Sequence, residues 1–236
     1  MSASPEDLAG LLAKVEVFGA LPEEEILWLA RRVPEMRLER GQILYGPTQE
    51  SRIIFVVLEG RVRLYKMLGG AELTLEIVEA GNLFGDVATL AGCQRGAYAE
   101  TLDPSRVALV NISLLYHLVH ENPDVGLRLA ERLAGRLYES REWIADVALK
   151  KVSARLASFL IRLLKTEGMV DREGVGIRTR YTHEQFAALI GARRVAVSRA
   201  MGDLRKLGAV EVKGRRVYLR NEDALRKAAE ITPPEA

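Results

Sequence analysis

Hydrophobic spacing changes several times along the chain, and each change marks a different kind of element. Between about Arg37 and Val110, apolar residues come in short runs rich in β-branched side chains: RIIFVVLEG, RVRLYKML, ELTLEIV and RVALVNI. Gly41, Gly60, Gly69-Gly70 and Gly81 punctuate them. Runs of this length, at roughly 8–12-residue spacing, predict an antiparallel sandwich or barrel. Ahead of them, Ile26, Leu27, Leu29 and Ala30 follow Pro22 and three glutamates. That is a helix start whose acids suit the positive end of the peptide dipoles.

Beyond the strand-like region the spacing lengthens. His117 and His120 fall on a helical stretch, and Asn122-Pro123-Asp124 then opens a long helix with Pro123 near its first position. Only Gly126 and Gly135 interrupt it before Leu149. Leu133, Leu137, Ser140, Ile144 and Val147 recur at alternating steps of four and three, a short heptad seam. A helix of this length spans about 40 Å, and its stripe needs cover. Packing on its own domain is one solution; a parallel pairing of two copies of the chain is the favoured one. A further helix follows from Val152 to Leu164.

The stretch from Thr182 to Leu219 carries the clearest chemistry. Thr182 with Gln185 three residues later is a capping box, after which Phe186, Leu189 and Ile190 form one buried stripe. Gly191 permits a sharp turn into a second helix from about Arg193 to Leu207. On that helix Val197, Ala200, Met201 and Leu204 share one side, while Arg194, Val195, Ser198, Arg199 and Gly202 share the other. The second arc offers two forked cations, a hydroxyl and a bare backbone, which suits a helix lying in a DNA groove. Val210 and Val212, then Val217 and Leu219, alternate around Lys213-Gly214-Arg215-Arg216. A hairpin with so basic a tip suits a wing along phosphates.

Charge agrees with that placement. Residues 149–236 carry 19 Lys and Arg against 10 Asp and Glu, whereas residues 1–148 carry 15 against 22. Concentrated cations supply the sequence-independent attraction to nucleic acid, so the C-terminal part is the DNA-facing one. No apolar run approaches a membrane span. The opening MSASPEDLAGLLAK lacks a basic leader with an apolar core, so a cytoplasmic protein is expected. The final ITPPEA reads as a loose tail. Cys93 is the single cysteine and cannot hold an iron–sulfur cluster or structural zinc by itself. It is expected as a small hydrophobe, with a redox-sensitive thiol as the alternative.

The order of roll, long helix and winged helix-turn-helix resembles the cyclic-AMP receptor protein (CRP/FNR) family over nearly the whole chain. The most specific segments are FVVLEGRVRLYK, GNLFGDVATLAGCQRGAYAET and THEQFAALIGARRVAVSRAMGDL. The resemblance implies an α+β fold: an antiparallel β-roll over 1–120, a jelly roll of the cyclic-nucleotide-binding type; a dimerisation helix over 121–149; and a winged helix-turn-helix over 150–236. It implies a homodimeric transcription regulator, by family habit an activator, that binds two-fold symmetric double-stranded DNA and contacts RNA polymerase. Arg194 and Arg199 take the places of the family's base- and phosphate-contacting arginines. Val195 replaces a glutamate that accepts from cytosine, so a half-site altered at that base pair is expected, with a thymine methyl as a suitable partner. Arg193 replaces a small hydroxyl cap and adds a phosphate contact. Thr182, Ser198, Lys213, Arg215 and Arg216 complete the expected DNA contacts.

The resemblance also implies an effector pocket at Gly85, Asp86, Arg95, Gly96, Ser140 and Arg141, and here the chain departs from the family. Asp86 stands for a glutamate, Gly96 for a serine, Arg141 for a partner-subunit serine, and the acid-to-arginine spacing is one residue short. Each unmatched group costs affinity for a buried polar ligand. Cyclic AMP is therefore not favoured and no cofactor is expected, leaving another effector or none; in the simplest reading Asp86 and Arg95 pair with each other. Haem ligation finds only the scattered His117, His120 and His183. A cyclic-nucleotide module of a channel or kinase would need a membrane or catalytic segment. A cupin-type metalloenzyme would need clustered histidines, and residues 37–110 contain none. With no nucleophile–base arrangement either, the chain reads as a regulator and not an enzyme.

Overall fold

The computed structural model describes residues 4–50 and 52–229; the ITPPEA tail lies outside them. Its contacts divide into two compact units, 1–138 and 139–236, with the boundary inside the long helix. Among the described residues no helix is long and apolar enough to cross a membrane.

The first unit begins with helices α1 (Pro5–Leu12) and α2 (Glu23–Ala30), joined through a single tight turn at Glu16–Phe18. Eight strands follow: β1 (Glu35–Leu38), β2 (Ile43–Tyr45), β3 (Ile53–Glu59), β4 (Arg61–Leu68), β5 (Ala71–Glu79), β6 (Leu83–Phe84), β7 (Tyr98–Thr101) and β8 (Ser105–Asn111). A short helix α3 (Asp86–Leu90) sits between β6 and β7, and α4 (Ile112–Glu121) leads into α5 (Pro123–Leu149). The strands form two antiparallel sheets, ordered β1-β8-β3-β6 and β2-β7-β4-β5.

The unbroken apolar run of β3 has a direct cause, because both of its faces are covered. Phe55 and Val57 join Tyr45, Val62, Leu64 and Phe84 in the core between the sheets. Ile54, Val56 and Leu58 face the other way, into a core shared with α1, α2, α4 and the start of α5. Strands that cover only one face alternate, and β4 does so at Val62 and Leu64. A register shift at Leu64/Tyr65 then turns Tyr65 inward as well, where its ring stacks on Tyr98.

The second unit contains α6 (Val152–Thr166), hairpin β9 (Gly168–Asp171) and β10 (Gly174–Ile177), α7 (His183–Ile190), α8 (Arg194–Lys206), hairpin β11 (Val210–Lys213) and β12 (Arg216–Leu219), and α9 (Glu222–Ala228). Its sheet runs β11-β12-β10-β9. Leu156 and Leu160 of α6 pack with Phe186, Ile190, Val197, Met201 and Leu204, so one core fixes both α7 and α8. The whole is the α+β arrangement implied by the resemblance: roll, long helix, winged helix-turn-helix.

Candidate nucleic-acid interface and effector-type cassette

The start of α7 is built as its sequence requires. Thr182 Oγ1 accepts from the Gln185 N–H at 3.1 Å, and the Thr182 N–H donates to Gln185 Oε1 at 2.8 Å, closing the capping box. Gly191 ends α7 at φ 63°, ψ 48°, a left-handed conformation that glycine adopts without strain. Arg193 then caps α8 with no side-chain hydrogen bond, so the helix does forgo a capping hydroxyl. The inward face of α8 is as read from the pattern, with Val197, Ala200, Met201 and Leu204 all buried. On α7 the buried stripe is Phe186, Ala187 and Ile190; Leu189 is only half-buried.

The outward arc of α8 presents Arg194, Val195, Ser198 and Arg199, all exposed. Val195 is 63% exposed, a large apolar side chain left mostly uncovered. A Cβ built on Gly202 would meet no atom within 4 Å, so that glycine is not required by packing within the fold. Beside this arc a groove of about 520 Å³ opens between the starts of α7 and α8 and the wing, lined by Thr182, His183, Arg194, Met201, Val212 and Arg215 among others.

The wing turns at Gly214 and Arg215, with φ 56° and 66°. Two successive positive φ values match the right-handed twist of a two-residue hairpin. Arg215 is the one non-glycine residue with positive φ among those described. Its neighbours are tied down: Lys213 pairs with Glu173 and Glu211, and Arg216 lies 3.5 Å from Asp171. Of the three wing cations, only Arg215 has no ion-pair partner among the described residues. Long-range partners on the β9–β10 hairpin gave no local signal in the sequence.

On α5, Leu137, Ile144 and Val147 of the heptad seam are exposed, as is Ser140. Leu133 differs, being half-buried against the core of its own unit.

The cassette is organised differently from the sequence expectation. Gly85, at φ 74°, caps α3, and a side chain there would run into the Arg95 guanidinium. Arg95 and Asp86 do not form the expected pair. Arg95 donates to the backbone oxygens of Gly85 and Ile53 and, at 3.0 Å, to Thr89 Oγ1, and it lies 4.7 Å over the Tyr45 ring. Asp86, with no exposed surface, accepts instead from Arg136 Nη1 at 3.0 and 3.1 Å. Arg136 also pairs with Glu76. One turn earlier, Arg132 donates to Asn82 Oδ1 at 2.6 Å and to the Leu83 oxygen at 2.7 Å. Three arginines thus surround two acids.

The pair won over the alternative because α5 delivers a guanidinium directly to Asp86, while the carbonyls of Ile53 and Gly85 engage Arg95. Arg136 was legible in principle: at about 100° per residue it falls on the same face as Val125 and Leu129, the buried stripe of α5. Burial raises the pKa of Glu76 despite the arginines beside it. Burial alone would lower that of Arg136, but Asp86 and Glu76 outweigh it and hold the guanidinium above its ordinary value. Burial pushes Tyr45 up to about 12 and holds Arg95 below the usual arginine value. Gly96, Ser140 and Arg141 are exposed. Cys93 is exposed on the cassette loop, not packed as a small hydrophobe, because the loop carries it outward after α3. Of the histidines, His117 packs against Trp28 with tilted rings whose centroids are 4.8 Å apart, His120 is exposed and His183 bonds to Ser198. No cluster among the described residues could hold a metal ion.

A cyclic-nucleotide-type roll with a winged helix-turn-helix defines a DNA-binding transcription regulator. Comparison with known proteins agrees. Residues 35–122 match the cyclic nucleotide-binding domain and residues 154–228 the Crp-like helix-turn-helix domain. The chain is 29% identical to the cyclic AMP receptor protein of Thermus thermophilus, over 89% of this chain and 94% of that one. It is 26% identical to the global nitrogen regulator of Synechococcus elongatus, over 80% and 86%. Among solved structures, a CooA mutant from Carboxydothermus hydrogenoformans superposes with a TM-score of 0.76 at 25% identity, covering 91% of this chain and 94% of that one. The chain belongs to the CRP/FNR family of transcription regulators.

Proposed function

We propose that the protein works in the cytoplasm as a homodimer on two-fold symmetric promoter sites, activating transcription through RNA polymerase, and that it needs no cyclic AMP to bind DNA. One observation carries the reading. The inward face of α8 is wholly committed to the core, while its outward face offers Arg194, Val195, Ser198 and Arg199, with no ion-pair partner for either arginine among the described residues. In this reading Arg194 and Arg199 contact bases and phosphates, Val195 packs on a thymine methyl, and Thr182, Arg193 and Arg215 grip phosphate. Lys213 and Arg216 join them by leaving their acidic partners. Dimerisation uses the exposed stripe Leu137–Ser140–Ile144–Val147 of α5. The activating role and the polymerase contact rest on the family resemblance.

Independence from cyclic AMP rests on the cassette. Arg95, the cation that would meet a phosphate, is spent on carbonyls, and Arg136 neutralises Asp86 from within the chain. Arg199→Ala tests the DNA reading: specific affinity should fall by about 1–3 kcal/mol if Arg199 contacts a base. The titration is run with and without cyclic AMP. Unchanged affinity in Arg199→Ala would remove that residue from the interface, and strong cyclic-AMP dependence of the wild-type chain would overturn the reading of the cassette.

A further inference from the structure

We propose that His183, on the helix before the reading helix, sets the hydrogen-bonding polarity of Ser198 and thereby which bases are selected at one position of the half-site. The inference rests on α8 entering the major groove. His183 is the first residue of α7 and is half-buried, and its Nδ1 lies 2.8 Å from Ser198 Oγ. Ser198 is exposed, between Val195 and Arg199 on the outward arc. A serine inside a helix commonly turns its hydroxyl back to the carbonyl four residues earlier. This one bonds to a ring on the neighbouring helix.

A hydroxyl both donates and accepts, so serine alone discriminates poorly among base edges. The imidazole removes that freedom. With Nδ1 unprotonated the ring can only accept there, so Ser198 donates its proton to His183 and turns its lone pairs outward. It then presents an acceptor, matched by the amino groups of adenine or cytosine. With both ring nitrogens protonated, Nδ1–H donates to Ser198, and the hydroxyl proton is released toward guanine O6 and N7 or thymine O4.

We take Nδ1 as the acceptor and Ser198 as the donor to it, which leaves an outward acceptor on the face of α8 that also carries Val195 and Arg199.

The test is selection of sites from random DNA at pH 7.5 by the full chain and by His183→Phe, His183→Asn and Ser198→Ala. The wild-type chain should prefer an amino-bearing base at one position. His183→Phe should relax that preference roughly tenfold, the scale of one base contact, while the remaining positions stay as selected, which also reports that the variant is folded. His183→Asn, whose amide oxygen can accept from Ser198, should restore the preference. Ser198→Ala should have no further effect in the His183→Phe background. Uniform weakening at every position in His183→Phe would make the histidine a phosphate contact and overturn the proposal. So would a Ser198→Ala cost that is the same with and without His183. If the wild-type chain selects no sequence, the reading of α8 falls and this inference with it.

Discussion

Arg136→Ala should destabilise the N-terminal unit by about 3 kcal/mol, the lower end of the range for breaking a buried ion pair. Asp86 has no exposed surface and accepts from Arg136 through both carboxylate oxygens. Removing the guanidinium leaves that charge buried, and Arg95 cannot compensate while it holds the Gly85 and Ile53 carbonyls between strand and loop. The side chain of Arg136 is 23% exposed, so water enters part of the gap and the loss stays at the low end. For a unit of this size that corresponds to a fall in melting temperature of about 10 °C. Replacing Asp86 by Asn in the same background should return part of the loss, because the uncompensated charge is then gone. A melting temperature unchanged in Arg136→Ala would mean that the pair contributes nothing to holding α5 against the roll.

The second large effect is expected on α5. Ile144→Asp places a charge at a position 60% exposed in the single chain, so the folded chain itself should lose less than about 0.5 kcal/mol. Within a paired seam, the same charge is buried against a second copy and costs far more than the contact returns. The variant should therefore be monomeric at micromolar concentration. Two linked reading helices bind a two-half-site DNA with an advantage of roughly 100- to 10,000-fold over one, so its affinity for such a site should fall by at least about 100-fold while the melting temperature holds. A variant that stays dimeric would show that the seam is not the dimer surface, and the exposed Leu137 and Val147 would then need another explanation.

Much of the C-terminal unit was legible because its signals are local. A capping box, a glycine turn, a 3.6-residue stripe and a two-residue hairpin tip each occupy a few neighbouring residues, and the structure forms all four. The strands β3, β4, β5 and β8 were legible for the same reason. Elements without such a signature were missed. The hairpin β9–β10 consists of GMVD and GVGI, too short and glycine-rich for a strand pattern. Helix α1 did carry one, in Ser4 as N-cap followed by Pro5, Glu6 and Asp7, and its cap is formed. What the sequence could not rank were long-range ion pairs. Asp86 lies nine residues from Arg95 and fifty from Arg136, yet it is the distant arginine that reaches it. The same holds on the wing, where Glu173 and Asp171 engage Lys213 and Arg216 from another hairpin. Chain proximity favours a pair only when backbone acceptors do not compete for the same donor, and around Arg95 they do.

Footprinting on a DNA site selected by the chain, combined with the number of chains bound per duplex, tests the central claim most directly. Two copies clasped along α5 should protect two inverted half-sites whose centres lie about 34 Å apart, one turn of B-form DNA, with two chains on each duplex. Protection of a lone half-site by a single chain would contradict it.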